Sequence, residues 1–85
     1  MSRIEKQVNR LLSNPTDYTF SECSSLLTSL GYRIYNKGRT SGSRVRFFRE
    51  SDQHVIDLHK PHPGDIMKPY AVKLVRDRLK EYGDI

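Results

Sequence analysis

The run Gly31-Tyr32-Arg33-Ile34-Tyr35, followed after a gap by Ser43-Arg44-Val45-Arg46-Phe47-Phe48-Arg49 and then by His54-Val55-Ile56-Asp57-Leu58, decides the fold. Its side chains alternate with period two, the spacing of strands that turn one face toward a core. Tyr32 and Ile34 share one face, with Arg33 and Tyr35 on the other. Val45 and Phe47 point inward while Arg44, Arg46 and Phe48 point out, and Ile56 and Leu58 point inward from the third strand. Asn36 to Gly42 reads as a turn or loop, and Glu50-Ser51-Asp52-Gln53 as a polar hairpin turn. Strands joined this tightly must be antiparallel, because parallel neighbours need crossovers of about a dozen residues.

Helical patterns flank the strands. Upstream, Thr19 and Glu22 have capping-box spacing, and Phe20, Cys23, Leu26, Leu27 and Leu30 line one face before Gly31 ends the helix. Earlier still, Arg3 to Ser13 places Ile4, Val8, Leu11 and Leu12 at helical spacing until Asn14-Pro15-Thr16-Asp17 breaks the pattern. Downstream, Pro61 and Pro63 stiffen a loop from His59 to Lys68, and a last helix runs from Pro69 to about Tyr82 with Val72, Val75 and Leu79 as its core stripe. The order is α-α-β-β-β-α, an α+β fold with a three-stranded antiparallel sheet and helices on one face. The 85 residues allow one domain with a thin core.

Fifteen basic residues against ten acidic give a net charge of +5, which favours polyanionic partners. The excess is localised: Arg33, Lys37, Arg39, Arg44, Arg46 and Arg49 form a run with no acidic residue inside it. Such a run is either a solvated strand face or a phosphate-binding surface, with Tyr35 and Phe48 outward as candidate stacking partners for bases. No apolar stretch approaches the roughly 20 residues of a membrane span, so no membrane partner is expected. The start, Met-Ser-Arg-Ile-Glu-Lys, has no secretory character, and a cytoplasmic location is expected. A single cysteine, Cys23, falls on the core face of its helix, which excludes an intramolecular disulfide and a multi-thiolate zinc site.

The segment His59-Lys60-Pro61-His62-Pro63-Gly64 is the second place where chemistry concentrates. An imidazole of ordinary pKa, about 6.5, can take and return a proton near neutrality, and a neighbouring Lys or Arg can stabilise charge growing on a phosphate. That set suits RNA cleavage, in which the 2′-hydroxyl attacks the adjacent phosphate and no metal or protein nucleophile is required. The competing reading is that both histidines pack beside proline or bond to backbone. Adding His54 and Cys23 would supply enough ligands for a metal, but the spacing matches no dense zinc motif, and no metal or cofactor is expected.

Taken together, the leucine-striped helix before Leu30-Gly31-Tyr32, the Gly42-Ser43 pair, Asp57-Leu58-His59, Pro61-His62-Pro63-Gly64 and Lys68-Pro69 resemble the HicA toxin family of bacterial toxin-antitoxin systems. The resemblance covers residues 19 to 83, with residues 1 to 18 as a helical extension. It implies a fold like the double-stranded-RNA-binding domain, metal-independent endoribonuclease activity on mRNA, and neutralisation by a HicB-like antitoxin. In the family pattern a catalytic histidine directly follows the Gly-Ser pair, whereas Arg44 stands there in this chain. An arginine stays protonated and cannot act as a base, although it can clamp a phosphate. His62 matches the histidine of the family's Pro-x-His segment. The expected catalytic set is therefore His62, His59 and Arg44, with Lys37, Arg39, Ser43, Arg44, Arg46, Lys60 and Lys68 contacting RNA. The alternatives are an RNA binder that no longer cuts, and a basic face that serves to dock the antitoxin.

Overall fold

The computed structural model describes residues 2–35 and 44–85. Three helices and three strands follow the order read from the sequence: α1 (Arg3–Leu12), α2 (Phe20–Ser29), β1 (Arg33–Ile34), β2 (Arg44–Arg49), β3 (His54–His59) and α3 (Pro69–Glu81). The strands form one antiparallel sheet in the order β1-β2-β3. Register follows the alternation, since Ile34, Phe47 and Ile56 stand opposite one another, as do Arg33, Phe48 and Val55. The loop expected over residues 36–42 lies outside the described residues, as does Ser43.

The inner face of the sheet and the apolar stripes of the helices close on a single core. It includes Leu11, Cys23, Leu26, Leu27, Tyr32, Phe47, Ile56, Val75 and Leu79, each almost fully withdrawn from solvent. One inward reading needs correction: Ile34 shares the parity of Tyr32 but stays 54 % exposed. It is the last residue of a two-residue edge strand, beyond the cover that buries Phe47 opposite. In α1, likewise, Leu11 is buried while Ile4 and Leu12 remain exposed.

Helix ends are set as their sequences dictate. The Thr19 hydroxyl accepts from the Glu22 N–H at 3.0 Å and the Glu22 carboxylate accepts from the Thr19 N–H at 3.2 Å, which satisfies donors a helix start would otherwise leave unpaired. Gly31 takes φ +97° to turn the chain from α2 into β1, a conformation glycine adopts without a Cβ clash. A Cβ there would stand 3.2 Å from the Cδ of Arg49.

Arg10 of α1 ties the first two helices together, bonding Glu22 at 2.8 Å and Asp17 at 2.9 Å. The hydrogen bond from Arg10 holds the Glu22 carboxyl below its usual range, and the hydrogen bond from Arg46 does the same for Asp57. A carboxylate with a lowered folded-state pKa contributes stability that is complete above its unfolded value, about 4, and is lost as pH falls through the folded value. Thermal melts are thus expected to give a constant Tm from about pH 7 to 5 and a fall below about pH 4, shallower in Glu22→Gln. A Tm at pH 3 equal to that at pH 7 would contradict this account.

Candidate nucleic-acid interface

The loop after β3 is fastened to the start of α2. Thr19 and Ile66 form an isolated antiparallel bridge, the Phe20 N–H donates to the Asp65 carbonyl at 2.7 Å, and the Met67 N–H donates to the Tyr18 carbonyl at 2.8 Å. Asp65 adds a side-chain bond from the Ser21 N–H at 3.1 Å. With its far end anchored, the His59–Lys68 segment arches over the first turn of α3 and encloses a cleft of about 360 Å³. His59, Lys60, His62 and Lys68 all line it, so four of the residues singled out from the sequence share one concavity.

Arg44 stands on the neighbouring strand and does not itself line the cleft. It is the cross-strand partner of His59 at the end of the β2–β3 ladder, so both side chains emerge on the open face. Both are exposed, and among the described residues no carboxylate lies within ion-pair distance of Arg44. Arg46, two residues on, is differently placed: it forms a two-pronged bond with Asp57 directly across the ladder, at 2.8 and 3.2 Å. Its charge is largely balanced within the sheet, which leaves it less available to phosphate than Arg44. Lys37, Arg39 and Ser43, also expected to contact RNA, lie outside the described residues.

Arg49 belongs to the core side of the sheet. Its side chain is 13 % exposed, donates to the Leu30 carbonyl at 2.9 Å and to Asp84 at 2.8 Å, and carries its guanidinium 4.5 Å from the centre of the Tyr32 ring. Asp52 receives a further bond at 2.6 Å, and the Tyr32 hydroxyl donates to Asp84 at 2.9 Å. His54 joins this cluster, stacked on Tyr82 with centroids 3.8 Å apart and its Nδ1 3.1 Å from Asp52. Among the described residues the basic run therefore contains one structural arginine, one balanced arginine, and Arg33 and Arg44 facing solvent.

Two residues that the sequence reading passed over also line the cleft. Tyr70 is 66 % and Ile66 57 % exposed, large apolar surfaces open to solvent beside the imidazoles. Tyr70 follows Pro69 on the first turn of α3, and its outward direction is set by the packing of the helix and not by the local sequence pattern. Cys23 is buried, and burial pushes its thiol up to about 12, so it remains protonated at neutral pH. Among the described residues no three His, Cys, Asp or Glu side chains gather as a potential metal site, and no helix is long and apolar enough to cross a membrane.

No curated protein and no solved structure matches the chain. Residues 20–83 match the family model described as the HicA toxin of bacterial toxin-antitoxin systems. The match opens on the first residue of α2 and runs through the sheet, the histidine arm and all of α3. It spans well over half of the sequence and both walls of the cleft, and the chain belongs to the HicA toxin family.

Proposed function

We propose that this toxin is a metal-independent endoribonuclease that cleaves mRNA in the cytoplasm and is neutralised by a HicB-like antitoxin. The observation that carries the reading is the pairing of Arg44 with His59 at the edge of a cleft that also holds His62, Lys60 and Lys68. One imidazole removes the proton from the 2′-hydroxyl, whose oxygen then attacks the adjacent phosphorus. The 5′-oxygen leaves with a proton from the second imidazole, giving a 2′,3′-cyclic phosphate and a 5′-hydroxyl end. Arg44, Lys60 and Lys68 supply fixed positive charge to the phosphate as negative charge builds on it.

A second reading, a binder without cleavage, is favoured by Arg44 itself, since the family pattern resembled by this sequence has a histidine there. Incubating purified protein with single-stranded RNA in EDTA separates the two. Fragments ending in cyclic phosphate are the expected result, with activity falling steeply as salt rises because phosphate contacts release counterions. Intact RNA retained in a salt-sensitive complex selects the binder. The antitoxin part predicts a stable complex with a HicB-like protein that abolishes cutting; a partner that binds and leaves cutting untouched would refute it.

A further inference from the structure

The open face of the sheet carries an aromatic pair that the cleft chemistry does not use. Tyr35 and Phe48 stand with ring centroids 5.6 Å apart and planes at 47°. The Tyr35 N–H donates to the Arg46 carbonyl at 2.7 Å, which continues the ladder past β1 and keeps Tyr35 on the outward side with Phe48. A cross-strand aromatic contact by itself supports a sheet. Tyr35 nevertheless leaves 43 % of its surface in solvent, on a face whose other outward positions include three arginines. Arg33 flanks the pair on the β1 side, with its side chain 83 % exposed and only a 3.9 Å approach to Glu50. Arg44 lies on the other side, about 14 Å along β2 from Phe48 at the ordinary rise per residue.

Unpaired bases bind sheet faces in this way, with rings stacked on exposed aromatics and phosphates on nearby cations. We infer that Tyr35 and Phe48 form a base-stacking subsite for single-stranded RNA, holding a base that flanks the link bound at Arg44 and His59, with Arg33 on the phosphate beyond. The subsite rests on the ribonuclease reading for the position of that link. A duplex keeps its bases paired and cannot fill it, so the subsite selects single strands and tolerates any base sequence.

The test compares wild type, Tyr35→Ala and Tyr35→Phe on a dinucleotide, a single-stranded oligonucleotide, and copies of that oligonucleotide with one abasic position moved along its length. Tyr35→Ala is expected to lose about five- to 100-fold in affinity for the oligonucleotide, and to lose at least several-fold more there than on the dinucleotide. Tyr35→Phe restores binding, and one abasic position reproduces the loss without adding to that of Tyr35→Ala. Equal losses on both lengths, or wild-type affinity in folded Tyr35→Ala, would overturn the subsite. Wild-type protein with no affinity for the oligonucleotide overturns the ribonuclease reading along with it. Binding without cutting, with the Tyr35 effect intact, rejects cleavage and supports the subsite.

Discussion

Replacing His59 or His62 with alanine is expected to lower the single-turnover rate of RNA cleavage by about 100- to 10,000-fold, the usual worth of a positioned acid or base. Both side chains are exposed, so neither change removes core packing, and the variants should melt with wild type. The double variant is expected to be little worse than either single one, because proton removal and return act as a unit. Arg44→Ala should slow the reaction through lost charge stabilisation, with Arg44→Lys recovering part of it. Undiminished cutting by both histidine variants would eliminate the imidazole mechanism. Loss in only one would assign the second proton transfer to another group or to water.

Arg49→Ala is expected to cost about 3 kcal/mol of stability, by the logic of breaking a mostly buried ion pair from one side. The Asp84 carboxylate, 12 % exposed, would keep the bond from the Tyr32 hydroxyl but lose its cationic partner, the Leu30 carbonyl would lose the guanidinium donor, and the Tyr32 ring its cation. For a domain of this size that corresponds to a drop in Tm on the order of 10–20 °C. Asp84→Asn should cost less, because the amide oxygen still accepts a hydrogen bond. Denaturant titration measures both, and a change under about 0.5 kcal/mol, typical of a surface arginine, would refute the structural role. RNA affinity of the folded Arg49→Ala protein is expected to match wild type, which separates this arginine from Arg33 and Arg44.

Local rules made most of the fold legible. The Thr19–Glu22 box, the glycine at position 31 and the period-two runs each act within a few residues, and each appears in the structure where the sequence puts it, apart from the exposed Ile34 at the end of β1. Arg49 shows where reading by composition fails. Its parity with Val45 and Phe47 already turns it toward the core, but a count of positive charges groups it with its outward neighbours. Its partner Asp84 lies 35 positions later, a separation that no local pattern spans. Arg46 is similar, since its balance by Asp57 depends on the register of two strands. For the candidate site, the shared lining of one cleft by His59, Lys60 and His62 follows from their closeness in sequence, whereas the outward set of Tyr70 and Ile66 depends on how α3 meets the arm.

The stitching of Asp65, Ile66 and Met67 to the start of α2 bears on affinity as well as shape. A recognition loop that is loose in the free protein gives up freedom each time a ligand arrives, and that loss weakens the complex. Here the far end of the arm is moored by backbone bonds that form during folding, before any ligand is met. Under the proposed ribonuclease function, a short RNA entering the cleft would meet a wall already standing, and its own stiffening would be the chief entropic toll of association.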